Sequence, residues 1–301
     1  MKAYIPGIYP RSEALVQATR DLDRGRTTPE AVAQQLERDV AEFVSVQERA
    51  GLDLLADGML GWQDLFRPLV EASDGLEARP LTRYLDTNTF YRAVLVEGRP
   101  RLREPLPAPA LPAGRWLATL PSPLAFARAA DEKVSAQTLA ASVVAPQIEA
   151  YGSAGCALVV LSDPFLARQE GVAELVAALR ELPTSVPLAL QLPFGDAAAV
   201  LDELADAPVT AVGVDFYATS LDAVSEGFPK EILAGVVDAR SSALEDPDEL
   251  ARFVDGLLQR GRAGAALVPN GDLQFVSESI AREKVARLGR ARAAIREMVA
   301  A

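Results

Sequence analysis

The sequence predicts an α/β fold, a (β/α)8 barrel of the TIM type in a single domain spanning 1–301. Three observations lead there. Short β-rich apolar runs alternate with longer amphipathic stretches along the 301 residues, the pattern of a parallel sheet covered by helices. Eight such strand–helix units are present, enough to close the sheet on itself. No G-x-G-x-x-G turn follows any of the strands, so the usual mark of the main rival, an open doubly wound sheet, is missing.

The elements follow in order. Tyr4–Tyr9 is the first strand, followed by helical stretches at Ser12–Arg24 and Thr28–Ala50. Thr28-Pro29-Glu30 opens the second of these with a capping hydroxyl and a proline in the first turn. Leu52–Ala56 is the second strand. An irregular excursion over 81–112 separates it from the third, and ends in the proline-rich run Pro105–Pro112. Arg115–Leu120 is the third strand and Gln137–Tyr151 its helix. Ala157–Leu161, wholly apolar, leads to a helix at Val172–Glu181. Pro187–Leu192, Ala211–Phe216, Ile232–Val237 and Ala265–Val268 complete the strands. Their helices lie near Ala197–Ala205, Leu221–Glu226, Pro247–Arg260 and Ser279–Val299.

Composition narrows the chemistry. The chain has no histidine and one cysteine, Cys156. A histidine-containing triad and a zinc site of several thiolates or imidazoles are therefore excluded within one chain, as is an intrachain disulfide. The net charge of −12 disfavours nucleic acid and anionic membranes, which need a basic footprint. Half of the residues are hydrophobic, yet no apolar run reaches the ~20 residues that span a bilayer. The start lacks a secretory apolar region, and the expected location is the cytoplasm. Cys156 reads as an inert buried thiol. The basic last helix (Arg282, Lys284, Arg287, Arg290, Arg292) reads as a solvated face.

In such a barrel the active site lies at the C-terminal ends of the strands. Those ends carry Arg11, Asp57, Asp64, Ser122, Ser162, Asp163, Gln191, Asp215, Tyr217, Asp238, Arg240, Asn270 and Asp272. Asp57, Asp163, Asp215, Asp238 and Asp272 are expected to converge on one mouth, where carboxylates raise one another's pKa or bind a cation. That suits an amine-bearing ligand or an oxygen-ligated divalent ion. The competing reading makes them helix caps, above all Asp163 before Pro164 and Asp246 before Pro247, with Asp238 and Arg240 as an ion pair. Trp62, Phe66, Tyr84, Phe90, Tyr91 and Trp116 are candidates to line a pocket or to fill the core.

Six of these segments, in order, resemble the cobalamin-independent methionine synthase family. They are PGIYPR from Pro6, QERAGLDLLADG from Gln47, YLDTNTFY from Tyr84, SDPFL from Ser162, GVVDARS from Gly235 and PNGDL from Pro269. The resemblance covers residues 4–290 and itself implies a (β/α)8 barrel. In that family zinc is held by H-x-C, a glutamate and the cysteine of P-D-C-G-L. The matching positions here are Gln191 and Pro193, Asp215, and Gly271, so zinc is not expected. The family's homocysteine-binding positions fall on Ile8, Met59 and Ser162, none of which carries the family's residue. The family also contains a second barrel that lacks zinc. Phe194-Gly195-Asp196, Gly213-Val214-Asp215-Phe216 and Asp86-Thr87-Asn88 are similar to segments of that half, in which basic residues near the first strand hold the folate tail. Arg11 falls at such a position, and Ser12, Glu13 and Ala14 follow it.

The resemblance thus implies a protein of methyl transfer from methyltetrahydrofolate, or another methyl donor, to homocysteine in methionine biosynthesis. If it is an enzyme it is a methyltransferase, and its implied partner is a separate zinc-bearing catalytic barrel. Two readings compete. One is a barrel enzyme for a different small molecule, with Asp163, Asp215 or Asp272 as general acid or base and Arg11, Asp57, Gln191, Tyr217, Asp238 and Asn270 lining the pocket. The other is a ligand-binding protein without turnover.

Overall fold

The structure, a computed structural model, describes residues 1–83, 90–260 and 263–300. A curled, parallel seven-stranded sheet forms its centre, with helices packed outside. In chain order the strands of this sheet are β1 (Lys2–Ala3), β4 (Trp116–Pro121), β5 (Cys156–Ser162), β6 (Leu188–Leu192), β7 (Ala211–Asp215), β8 (Glu231–Val237) and β9 (Ala265–Pro269). In space they run β1-β9-β8-β7-β6-β5-β4. Strands β2 (Ser73–Arg83) and β3 (Phe90–Leu102) form a separate antiparallel ribbon. The long helices are α1 (Glu13–Asp23), α2 (Pro29–Arg49), α9 (Pro247–Arg260) and α10 (Glu278–Ala300). Shorter ones are α3 (Arg67–Glu71), α4 (Pro123–Ala129), α5 (Ala136–Leu139), α6 (Ala145–Ser153), α7 (Val172–Leu179) and α8 (Leu201–Leu204).

Strands β5 to β9 match the sequence reading to within a residue or two, because each is an apolar run buried on both faces. The first two predicted strands differ. The ladder lies ahead of the predicted strand Tyr4–Tyr9, at Lys2–Ala3, and Tyr4 adds only its N–H to Leu267 O at 3.2 Å. Beyond it Gly7, at φ 82, turns the chain so that its N–H reaches Thr119 Oγ1 at 2.9 Å. Leu52–Ala56 lies between the sheet edges but forms a bridge only at Leu55. Its other backbone groups find different partners: Asp53 N–H donates to Ala3 O at 3.0 Å, and the Gln47 amide bonds both Ala56 N–H and Ala56 O. Side chains here replace a ladder, and the eighth strand of the predicted barrel is reduced to this pinned segment.

The excursion is irregular only in part: residues 103–112 form no strand or helix, but an ordered ribbon precedes them and begins earlier than expected. Its ribbon starts at Ser73 and packs through β3 on α5 and the π-turn Ala140–Val144 that interrupts the predicted helix Gln137–Tyr151. Two predicted helices shrink, to Leu201–Leu204 and to a single 3-10 turn at Leu221–Ala223. Thr28 caps α2 through Ala31 N–H, with Pro29 in the first turn, as the sequence implies.

The last helix is not simply a solvated face. Lys284 is fully buried. Arg292 clamps both oxygens of Asp53, with Nε at 2.6 Å from Oδ2, and Asp53 in turn accepts the Ala3 N–H at 2.8 Å. Cys156 is buried, and burial pushes its thiol up to about 11. Among the described residues no helix is long and apolar enough to cross a membrane.

Candidate functional site

The inner face of the sheet is set by period-two alternation. In β7 it carries Gly213 and Asp215, in β8 Gly235, in β6 Gln191, and just past β9 Asn270. The glycines leave room for side chains to cross. A Cβ at Gly235 would lie 2.5 Å from Val214 O and 2.9 Å from Asn270 Cα; one at Gly213 would lie 3.0 Å from Gln191 Cα. Gln191 Nε2 therefore reaches across to Pro269 O at 3.0 Å. Asn270 Nδ2 donates to Asp215 Oδ1 at 3.0 Å and to Asp238 Oδ1 at 3.5 Å, while its Oδ1 accepts the Ala239 N–H. Asp215, Asp238, Gln191 and Asn270 are thus brought together as expected.

Asp215 is the most enclosed of them, with no exposed surface. Its Oδ1 also accepts the Tyr217 N–H at 2.9 Å, and its Oδ2 has no hydrogen-bond partner. Burial raises its carboxyl above the usual carboxylate range and Asp238 raises it further, while Arg240 pulls it down.

A feature absent from the sequence reading closes this mouth. The Phe194 ring is buried against Gly271, and a Cβ there would meet it at 2.3 Å. Phe275 packs edge-on to the ring at 5.2 Å, and the Arg240 guanidinium stacks over it at 4.7 Å. Phe194 holds φ 60, a left-handed conformation unusual for a bulky residue, and its carbonyl accepts from Arg168 at 2.7 Å. The predicted Asp238–Arg240 ion pair does not form among the described residues. The Arg240 backbone N–H bonds Asp238 Oδ1, and its side chain goes to the ring instead. The signal in the sequence is the Phe194-Gly195-Asp196 turn together with a glycine at 271.

The five aspartates do not converge on one point. Asp163 is buried in its own cap: Oδ1 accepts the N–H groups of Phe165 and Leu166, and Oδ2 accepts the Ser122 hydroxyl at 2.5 Å. Asp57 accepts the Met59 N–H. Burial raises both carboxyls. Asp64 caps α3 and accepts the Arg92 N–H; Asp246 caps α9. Tyr217 is half exposed and donates to Val236 O at 3.1 Å and Glu245 Oε1 at 3.4 Å. Of the aromatics, Phe66 and Trp116 are core, Tyr91 packs on Phe66, Phe90 is exposed, and Trp62 lines a cleft. Residues 84–89, with Tyr84 and the Asp86-Thr87-Asn88 segment, lie outside the described residues.

Asp272 fastens the first loop. Its Oδ1 accepts the Ile8 N–H at 3.0 Å and its Oδ2 the Gln274 amide at 3.3 Å. Burial pushes its carboxyl up to about 6, above the ~3.9 of an unfolded chain. The folded state holds this proton more tightly, so the associated stabilisation is complete below pH ~4 and is lost as pH rises through about 6. Asp272→Asn, fixed in the neutral form, should therefore gain on the wild type in melting temperature between pH 4 and pH 8. A constant difference in thermal melts would contradict this.

Arg11 stands apart from the mouth, in a rim cleft of about 680 Å³ between the first loop, Trp62 and the start of α10 at Ser277, Glu278 and Ser279. Its guanidinium donates to Trp62 O. Burial and the neighbouring Arg67 lower its pKa.

The donor set at the mouth does not fit zinc. Gln191, whose amide nitrogen is held by Pro269 O, offers only a neutral amide oxygen, a poor zinc ligand; Pro193 and Gly271 offer no side-chain ligand, and the Phe194 ring fills the space beside Gly271. Among the described residues no group of three or more His, Cys, Asp or Glu side chains is placed to hold a metal ion.

No family model matches the chain. Solved structures do match its fold. A B12-independent methionine synthase of Shewanella sp. W3-18-1, in complex with selenomethionine, superposes with a TM-score of 0.78 at 15% identity, over 100% of this chain and 99% of that one. A protein of Listeria monocytogenes described as a vitamin-B12-independent methionine synthase gives 0.70 at 17% identity, over 98% of each chain. A methyltransferase from Methanosarcina mazei gives 0.54 at 13% identity, over 100% and 95%. At these identities the likeness is one of fold: a mostly parallel, curled α/β sheet of the TIM-barrel kind.

Proposed function

We propose that the chain is a cytoplasmic (β/α)8 barrel of the methionine-synthase type. It acts in methyl transfer from methyltetrahydrofolate, or another methyl donor, to homocysteine, without a catalytic zinc of its own and beside a separate zinc-bearing catalytic barrel. The observation that carries this reading is the full-length fold match to a B12-independent methionine synthase, taken together with a mouth plugged by Phe194 where a ligand thiol would need room. Arg11 is the residue assigned to an anionic folate tail, because its charge faces the open rim cleft.

Titration with methyltetrahydrofolate tests it. Binding is expected, and Arg11→Ala should weaken it about tenfold, the size of one charge-assisted contact. Addition of the chain should also raise the turnover of a zinc-bearing methionine synthase barrel. Absence of both folate binding and stimulation would refute the proposal.

One observation favours a second reading, an enzyme or binding protein for another small molecule. The buried, unpaired Asp215 Oδ2 and the raised Asp272 carboxyl are what a general acid or base requires. Asp163, fully used as a cap, suits that role least. Turnover that survives Asp215→Asn would remove Asp215 from it.

A further inference from the structure

The ribbon is charged against the rest of the molecule. Residues 73–103 carry six arginines and four carboxylates, in a chain whose net charge is −12. Side chains alternate between the two faces of a strand pair. Tyr91, opposite Thr82, turns inward onto Phe66. The flanking pairs, Leu81 with Arg92 and Arg83 with Phe90, therefore share the outer face. Leu81 is 62% exposed and Phe90 43%, and the Arg83 guanidinium lies over the Phe90 ring at 5.9 Å. Among the described residues the ion pairs of the ribbon join Asp74 to Arg101 and Arg103, so Arg83 meets no carboxylate. Exposed apolar side chains beside unpaired arginines fit a partner that is apolar at its centre and acidic at its rim. The chain itself carries such a surface. A cleft of about 620 Å³ opens between α7 and α8, with Leu166, Val172, Ala199 and Val200 in its walls and Glu170 and Glu203 beside them. Both glutamates are exposed and form no ion pair among the described residues. Arg168 also lines the cleft, but its guanidinium donates to Phe194 O at 2.7 Å. The acidity extends along the chain, for 196–229 holds seven carboxylates and no lysine or arginine.

We propose that the outer face of the ribbon docks into the α7–α8 cleft of a second copy of this chain, with Leu81 and Phe90 against the apolar walls and Arg83 toward Glu170 and Glu203. The surface given differs from the surface received, so the contact is heterologous and copies add head to tail, in an open row or a closed ring. Ribbon-to-ribbon pairing would set arginine against arginine, which like-charge repulsion disfavours. A phosphate surface would use the arginines and leave Leu81 and Phe90 in water. The contact is independent of methyl transfer and stands or falls without folate binding or a zinc-bearing partner.

The test is sedimentation velocity over a range of protein concentrations. The wild type should associate reversibly in about 0.02 M sodium chloride and fall towards monomer in about 0.5 M, where charge attraction is screened. Two double variants remove one side each: Leu81→Ser/Arg83→Ser in the ribbon and Glu170→Gln/Glu203→Gln at the cleft. All four positions are exposed, and circular dichroism melts establish that the variants fold. Each should associate about tenfold or more weakly than the wild type. Ala199→Trp, which fills the cleft from an exposed position, should do the same. Mixing the two double variants leaves one intact ribbon and one intact cleft, and should restore a 1:1 pair with nothing larger. A wild type that stays monomeric, association that survives both double variants, or a mixture that forms no 1:1 pair would each overturn the proposal.

Discussion

Lys284→Met is expected to destabilise the protein by about 3–5 kcal/mol, the cost of leaving one member of a buried ion pair without the other. Lys284 has no exposed surface, and its Nζ donates to Glu245 Oε1 and to Ala243 O, each at 2.6 Å. The same Glu245 oxygen accepts from Tyr217 and from the Asp238 N–H. Arg287 adds a bond to the Glu245 carbonyl at 2.7 Å. One carboxylate thus ties the last helix to the loops after β7 and β8. Methionine fills the volume but removes the charge, which leaves Glu245 buried and uncompensated. The double variant Lys284→Met/Glu245→Gln should recover a large part of the loss, because the remaining groups are neutral. Urea unfolding of the four proteins measures both effects. A single-variant cost under about 1 kcal/mol would mean that the pair is not buried in solution.

The second large effect is expected at Gly271. An alanine there places Cβ 2.3 Å from the Phe194 ring, which is itself buried. The ring is held from two other sides by Phe275 and Arg240. Overpacking of this kind costs about 1–3 kcal/mol. Because the clash is with one ring, Gly271→Ala and Phe194→Leu should be strongly coupled: the double variant should be more stable than the sum of the two losses allows, by about 1 kcal/mol or more. Additive losses would place the ring elsewhere and would reopen the mouth to a larger side chain at 271.

How much of this was legible in the sequence depends on what satisfies each segment's backbone. Ala157–Leu161 and Ile232–Val237 are continuous apolar runs that pair with parallel neighbours, and they read almost correctly from composition alone. Leu52–Ala56 has the same appearance, but Gln47, Asp53 and Arg292 hold it through side chains that no local pattern reveals. The ribbon was hidden for another reason. Gly75, Pro80, Gly98 and Pro100 look like loop residues, and here they sit at bulges and on an edge.

At the site, Asp215 and Asn270 are grouped by their positions at the C-terminal ends of nearby strands, and they do meet. The caps at Asp163 and Asp246 followed from the prolines after them. The role of Phe194 did not follow, because it depends on a glycine 77 residues later in the chain. Arg240 was assigned to Asp238 on sequence proximity, whereas the ring beneath it offers a face that sequence distance conceals. Glu245, next to the Asp246-Pro247 cap, carries no sign in the sequence of its ion pair with Lys284, 39 residues later.

The chain shares its fold with a B12-independent methionine synthase, and the proposed function gives its mouth no zinc. The most direct test is elemental analysis of protein purified without chelator, after incubation with zinc and removal of the excess. Zinc is expected to be substoichiometric and unchanged by Asp215→Asn. Stoichiometric zinc, lost on Asp215→Asn, would contradict it: the Phe194 plug would have to open and the mouth would have to supply ligands that its present geometry does not.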